Sequence, residues 1–213
     1  MKYNVIHAFP SPVIQVYVED DTSELLGHDN FVTSYKHDTD TGKIDTFRKA
    51  PSLRVLEDYP KTKEILLNNF TSATEEILGY KKRDYAITTS WITLNKKGEG
   101  SQHHRHKNSF WSCVYYYQEE YPEGTGEITF ANPNSTAFDF AFQDNDIEQY
   151  NNINALALRV KPEPNLLVMF PSYIMHQVLS NNIDTERCSL AFNTVPLGSW
   201  GDGDSYLDVS WFQ

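Results

Sequence analysis

Apolar and polar positions along this chain follow two different periods. Residues 60–78 carry Leu66, Phe70, Ala73 and Ile77 at i, i+4, i+7 and i+11, the spacing of one helix face. Pro60 suits the first helical turn, where its missing N–H costs nothing. Gly79 follows the last periodic residue, where a left-handed cap belongs. The pattern predicts a helix over 60–78. Upstream, residues 12–19 (PVIQVYVE) alternate as a strand, and residues 22–37 predict a short helix without clean periodicity. Residues 37–49 (HDTDTGKIDTFRK) are polar and read as an exposed loop.

Beyond Gly79 the chain breaks into short β-branched and aromatic runs. These are 85–95 (YAITTSWITLN), 109–118 (SFWSCVYYYQ), 126–131 (GEITFA), 154–160 (NALALRV), 165–170 (NLLVMF), 176–179 (HQVL) and 187–195 (RCSLAFNTV). Turn-rich segments such as KKGEG, YPEGTG, KPEP and SNNIDTE separate them, the texture of an antiparallel sandwich or barrel. Helical sequence first and strands afterwards predict a mainly β jelly roll with supporting helices. The tail GSWGDGDSYLDVSWFQ offers a Gly/Asp loop and one more strand. GDGD lacks the ligand spacing and distal Glu of a calcium loop.

Composition narrows the function classes. The 213 residues suit a single domain: 1–84 as strand and helical support, 85–195 as the β core, 196–213 as a C-terminal extension. A net charge of −11 argues against nucleic acid and anionic membranes as partners, because phosphate rewards a basic surface. A small anion in a locally basic pocket is still allowed. The opening MKYNVIHAFPSPV has no signal-peptide pattern, and no apolar run approaches the ~20 residues of a membrane span. Cys113 and Cys188 lie in apolar runs and read as reduced, buried thiols. A cytoplasmic protein is the expectation.

Four of the seven histidines fall in two short stretches, QHHRH at 102–106 and the end of FPSYIMHQV at 170–178. In extended chain, residues i and i+2 share a face, so His104 and His106 can converge on one ion. His176, from a distant strand, would close a three-donor site with open positions for substrate and oxygen. A cluster of surface histidines is the plain alternative, and His103 is a competing ligand. Further along, Arg187 and Ser189 alternate onto one face of R-C-S-L-A-F-N. A guanidinium with a neighbouring hydroxyl can clamp a carboxylate. The alternative is a wet strand-entrance arginine paired with Glu186.

HRHKNSFWSCVYYY, GEITFANP, NLLVMFPSYIMHQV and ERCSLAFN follow one another in order. Together they resemble the family of iron(II)/2-oxoglutarate-dependent oxygenases found in bacteria and phages. That family's pattern runs roughly W-x-N, G, H-x-H-P, S-G-x-x-Y, G-x-[IL]-x-[FL]-x-[DN]-P, G-x-x-x-x-F-P-x-x-x-x-H-x-V and R-x-S-[IL]-[SA]-F-N. The resemblance spans residues 85–195, and FPSPV near the start is similar to the family's opening strand. It implies a cupin-like double-stranded β-helix, a ferrous ion, 2-oxoglutarate as co-substrate, dioxygen and an unidentified prime substrate. His104, His106 and His176 match the metal positions. Arg187 and Ser189 match the anchor of the distal 2-oxoglutarate carboxylate, and Tyr116 the strand tyrosine that helps hold it in prolyl-hydroxylase-like enzymes. Tyr116 would share an inward face with Ser112 and Val114, with Tyr115 and Tyr117 facing away. Asn193, Asn95 and Trp91 are pocket candidates, with core packing the first expectation for Trp91.

Two positions depart from this pattern and one from that of the wider superfamily. The wider superfamily places a carboxylate where this chain has His106, giving three imidazoles, or two with an outside anion. Lys107 replaces a proline and Cys113 a glycine. The implied activity is hydroxylation of a C–H bond in a protein or peptide side chain or a small metabolite, with release of succinate and CO2. Two other classes compete: a three-histidine cupin-like enzyme independent of 2-oxoglutarate, and a non-catalytic jelly-roll binding protein. Specificity is expected in the loops 38–58, 96–102 and 133–153. Nothing in the sequence specifies the prime substrate or the oligomeric state.

Overall fold

A computed structural model describes residues 10–27, 32–33, 53–134, 146–151 and 154–209. Two β-sheets face one another. The larger contains β1 (Ile14–Tyr17), β2 (Val32–Thr33), β3 (Tyr85–Asn95), β4 (Trp111–Tyr115), β7 (Leu166–Pro171) and β9 (Arg187–Pro196), in the order β1-β7-β4-β9-β3-β2. Its neighbours are antiparallel except β2, which runs parallel to β3. The smaller sheet has the order β6-β5-β8, from β5 (Ile128–Ala131), β6 (Ala157–Val160) and β8 (His176–Val178). The sequence runs 85–95 and 187–195 become β3 and β9, the longest pair in the molecule.

The two faces of the large sheet are chemically different. The outer face carries Ile92 and Leu94 of β3, Cys113 and Tyr115 of β4, and Leu190 and Phe192 of β9, and it packs under the helix α1 (Pro60–Glu76). Leu66, Phe70 and Ala73 of α1 are buried there, and Phe70 meets Tyr85 edge-on at 4.9 Å. Leu66 and Phe70 each stabilise the fold by about 1.5–3 kcal/mol through area removed from water, and the Ala73 methyl by less. Ile77, expected in the same stripe, is 59% exposed: the helix ends at Glu76, and Ile77 is its C-cap. Gly79 takes the expected left-handed conformation, with φ +68°. The inner face carries Val114, Tyr116, Val168, Phe170 and Ala191 and packs against Ile128, Phe130, Val160 and Ile174.

One irregularity decides what β3 shows to the interior. Ile87 pairs with Thr194 and Thr89 with Asn193, so Thr88 is an extra residue in β3. Before this bulge, odd-numbered Tyr85 and Ile87 face the outer core. After it, even-numbered Ile92 and Leu94 do, and Thr89, Trp91 and Thr93 line the inner cavity. A one-residue insertion reverses every following side chain.

Other expectations shift in detail. Among the described residues of 22–37 the structure has a 3-10 turn (Ser23–Leu25) and the strand β2. The loop 37–49 and, within the loop 133–153, residues 135–145 and 152–153 lie outside the described residues. The tail folds as a hairpin of β10 (Ser199–Trp200) and β11 (Leu207–Asp208), two short strands where one was expected. Both cysteines are free and buried. No helix among the described residues is long and apolar enough to cross a membrane.

Candidate metal centre

His176 opens β8 opposite Phe130 and is zipped to His104 by two backbone hydrogen bonds. His104 N–H donates to the His176 carbonyl at 2.9 Å, and His176 N–H to the His104 carbonyl at 2.8 Å. His106 has left this ladder, and its N–H donates to the Ser172 carbonyl at 3.1 Å. The i, i+2 spacing therefore works, although only the first histidine pairs with a strand. The three rings lie with centroids 4.4 to 5.1 Å apart, and one nitrogen of each lies within 4.8 Å of the others. His103 is exposed and outside this group.

The environment prepares His106 and His176 as neutral donors. Burial pushes the His176 imidazolium down to about 3, against a small opposing pull from the Ile174 carbonyl, and the neighbouring histidines push it further down. Burial and then His104 hold His106 down at about 4. His176 Nδ1 lies 2.9 Å from the Ile174 carbonyl, and His104 Nδ1 lies 2.7 Å from the Gln102 carbonyl. Carbonyls only accept, so both rings carry their proton on Nδ1 and present a bare Nε2. Phe170 and Phe130 wall His176 on the inner side, and Trp91 lies 5.6 Å from His106.

Arg187 begins β9 and is 1% exposed. Its Nε donates to the Gly126 carbonyl at 2.9 Å, and Nη1 donates to Asn95 Oδ1 at 3.0 Å and Ser189 Oγ at 3.1 Å. Nη2 donates to the Tyr116 hydroxyl at 3.3 Å. All four partners are neutral, and no carboxylate pairs with Arg187 among the described residues. Glu186 turns outward to Lys96 at 3.7 Å, so the wet strand-entrance alternative does not hold. Of five guanidinium N–H groups one is left over, and the Ser189 and Tyr116 hydroxyls accept from the guanidinium and keep their own protons for another acceptor. A buried charge with this donor arrangement calls for an anion.

The inner face of the large sheet brings these groups together in four rungs. Thr89, Asn193, Ser112 and Phe170 form the first, and Trp91, Ala191, Val114 and Val168 the second. Thr93 and Ser189 begin the third, with Tyr116 just beyond the end of β4, and Asn95 and Arg187 form the last. A cavity of about 440 Å³ runs along them, lined also by His104, His106 and His176 and by Leu53. Ser112, Val114 and Tyr116 face inward and Tyr115 and Tyr117 outward, as expected. Trp91 packs against the inner core, as expected, and also forms a cavity wall. Asn95 reaches the guanidinium from behind instead of lining the cavity. Asn193 lines the cavity six residues along β9 from Arg187, about 20 Å of extended chain, and so stands apart from the carboxylate anchor.

Several contributors were not foreseen. The bulge at Thr88 leaves no compositional mark, so Thr89 was invisible. Gly126 was visible only as the first letter of GEITFA. A Cβ there would collide with the Leu179 carbonyl, and its own carbonyl holds Arg187. A Cβ on Gly100 would come within 2.5 Å of the Val178 carbonyl, so this glycine lets the segment carrying His104 run against β8.

Residues 89–193 match a family model described as "Putative 2OG-Fe(II) oxygenase". Over this segment, just under half of its length, the chain is similar to the 2OG-Fe(II) oxygenase family. Among solved structures, the non-heme alpha ketoglutarate dependent epimerase SnoN from nogalamycin biosynthesis aligns at 12% identity over 90% of this chain and 82% of its own, with a TM-score of 0.54. That likeness gives the fold, the double-stranded β-helix of these oxygenases. A 2OG-Fe(II) oxygenase family oxidoreductase from Burkholderia pseudomallei aligns at 15% identity and a TM-score of 0.44, over 63% of this chain and 58% of its own length. No curated protein matches the chain in sequence.

The residues present fit the family's cofactors. Three neutral imidazoles are a donor set for a first-row divalent ion such as Fe(II). The unpaired buried guanidinium fits the distal carboxylate of 2-oxoglutarate.

Proposed function

We propose that the protein is an Fe(II)- and 2-oxoglutarate-dependent dioxygenase that hydroxylates a C–H bond of a prime substrate. His104, His106 and His176 would hold the iron. Arg187, Ser189 and Tyr116 would hold the distal carboxylate of 2-oxoglutarate, with Asn95 and the Gly126 carbonyl fixing the guanidinium. Bound together, iron and 2-oxoglutarate supply the oxidising chemistry: the keto acid is split to succinate and CO2 while one oxygen atom of O2 enters the substrate C–H bond.

The chain's own contribution is placement and exclusion. The guanidinium and the two hydroxyls fix one end of the five-carbon diacid, so its keto acid end is directed at the imidazoles. Depressed basicity keeps His106 and His176 unprotonated at neutral pH, so metal need not displace protons from them. Phe130 and Phe170 keep water from the inner side of His176. The observation that carries this reading is one cavity holding both a three-histidine group and a buried guanidinium without a carboxylate partner.

We also infer one domain over 1–213, with 1–84 supporting the core and 196–213 extending it, and a cytoplasmic location, which the two free buried thiols favour. The test is succinate formation by Fe(II)-loaded protein with 2-oxoglutarate and O2, in the presence and absence of candidate peptides and metabolites. Folded, iron-loaded protein that binds no 2-oxoglutarate and forms no succinate would overturn the reading. A three-histidine enzyme independent of 2-oxoglutarate would keep its activity in Arg187→Ala.

A further inference from the structure

We propose that the Thr89 end of the cavity is the prime-substrate subsite and recognises an uncharged carbonyl or amide oxygen, an inference that rests on the oxygenase reading. Distance separates this end from the co-substrate. Successive rungs stand about 6.5–7 Å apart along a strand, so Asn193 lies about 13 Å beyond Ser189. An extended five-carbon diacid measures about 5 Å between its terminal carbons. Anchored at Arg187 and Ser189, it ends well short of Asn193 and Thr89. The first rung is therefore cavity wall that 2-oxoglutarate does not use, on the side where Trp91 meets His106.

The chemistry of that wall is specific. Asn193 Nδ2 donates to Thr89 Oγ1 at 2.9 Å, and Asn193 Oδ1 accepts from Ser112 Oγ at 2.7 Å. An amide has two N–H groups, and these partners use one. Exchanging the amide's nitrogen and oxygen gives one N–H to Ser112 and again leaves one over. With the amide as placed, a donor is held beside the Thr89 hydroxyl at the cavity surface, next to Ser112, whose Oγ lies 2.8 Å from Ser172 Oγ; with the amide exchanged the spare N–H moves to the Ser112 side. Such a pair suits an oxygen acceptor.

The surrounding wall is Trp91, Ala191 and Leu53. Arg187 is the sole arginine, lysine, aspartate or glutamate among the described residues lining the cavity, and it stands at the far end. A carboxylate or an ammonium at Thr89 would thus lose hydration without a counter-charge, a cost a carbonyl does not meet. The bulge at Thr88 is what turns Thr89 and Trp91 into this wall, consistent with bulges re-aiming side chains beside active sites.

The experiment uses protein loaded with Zn(II) and 2-oxoglutarate, which cannot turn over, and reads saturation-transfer NMR of isobutyramide, isobutyrate and isobutylamine as size-matched probes. The amide is expected to bind and the two charged analogues not to. Loss of one neutral hydrogen bond in Thr89→Val should weaken the amide about five- to tenfold. Asn193→Asp should reverse the preference toward the ammonium. Thr89 is only partly buried, so Thr89→Val serves should Asn193→Asp fail to fold. Amide affinity within twofold of wild type in Thr89→Val, or equal binding of isobutyrate, overturns the inference. Calorimetry of 2-oxoglutarate on the same samples separates the two claims. Co-substrate binding without amide binding sinks the subsite alone, and the converse sinks the oxygenase reading.

Discussion

Replacing Arg187 by methionine is the sharpest perturbation, because the same change should act oppositely on stability and on co-substrate binding. Without ligand, the wild-type fold carries a buried guanidinium whose charge has only neutral hydrogen-bond partners. Its desolvation costs several kcal/mol. Methionine removes that cost but orphans acceptors on Gly126, Asn95 and Ser189, at about 1–3 kcal/mol for each one left dry. The two changes nearly offset, so the ligand-free melting temperature should move by only a few degrees. Binding has no such compensation. The free Nη2–H supplies a charge-assisted hydrogen bond of about 1.5–3 kcal/mol, and the Ser189 and Tyr116 hydroxyls lose the donor that orients them, about 1 kcal/mol each. A total of about 3.5–5 kcal/mol raises the 2-oxoglutarate Kd by about 300- to 4,000-fold.

The assay is calorimetry of 2-oxoglutarate into Mn(II)-loaded protein, paired with thermal melts. At 100 times its Kd the ligand stabilises wild type by about 2.7 kcal/mol. For a chain of this size that is a shift of about 5–11 °C. In Arg187→Met the shift should vanish. Arg187→Lys keeps the charge, but one ammonium cannot serve the Gly126, Asn95 and Ser189 acceptors and a ligand together, so binding should fall at least about tenfold. Glu186→Gln, whose carboxylate is exposed and 3.7 Å from Lys96, should change nothing. If Arg187→Met binds 2-oxoglutarate within threefold of wild type, the anchor has been assigned to the wrong residues.

Four further outcomes follow from other features. His176→Ala should lower Mn(II) or Fe(II) affinity by at least about 100-fold in a competition titration, while exposed His103→Ala stays within twofold. Gly126→Ala should weaken 2-oxoglutarate by more than about tenfold, since the Leu179 carbonyl forces the Gly126 carbonyl away from Arg187. Gly79→Ala, at positive φ with open space around it, should cost about 1 kcal/mol in denaturant melts and leave ligand binding intact. Phe70→Ala should cost about 3–5 kcal/mol in the same melts, because the ring is fully buried against Tyr85.

Much of this architecture was legible because it rests on local rules. The helix stripe and its terminal Pro60 and Gly79 marked α1, and runs bounded by Gly, Pro, Asn and Asp marked the strands. His104, His106 and Arg187 were legible because alternation places i and i+2 together and because an arginine inside RCSLAF needs an explanation. Other features were hidden because they depend on what lies opposite. Ile77 continues the apolar stripe, yet none of the described elements covers it. The glycine of GEITFA looks like any turn residue until β8 and the following Leu179 carbonyl are seen against it. Thr88 is one β-former among others, and only pairing with β9 reveals it as an extra residue. Trp91, Thr93 and Asn95 all owe their facing to that residue, so alternation counted from Tyr85 would have put them on the wrong side.

The charge balance of the cavity binds the two halves of the proposed site to each other. Three neutral imidazoles bring no negative charge to a divalent ion, and Arg187 adds a positive one at the far end. Among the described lining residues no carboxylate compensates either. A chain with net charge −11 therefore keeps its cavity cationic once metal enters, the reverse of its surface. A dianion that reaches both cations cancels most of this excess, and neither cation alone gives it the same gain. Metal and 2-oxoglutarate must then raise each other's affinity by the same factor, since the coupling free energy belongs to the pair. A carboxylate at position 106 would weaken that coupling by neutralising the ion in advance. The third histidine thus makes the centre more dependent on its co-substrate, and leaves the uncharged Thr89 end as the part of the cavity least suited to a second ion.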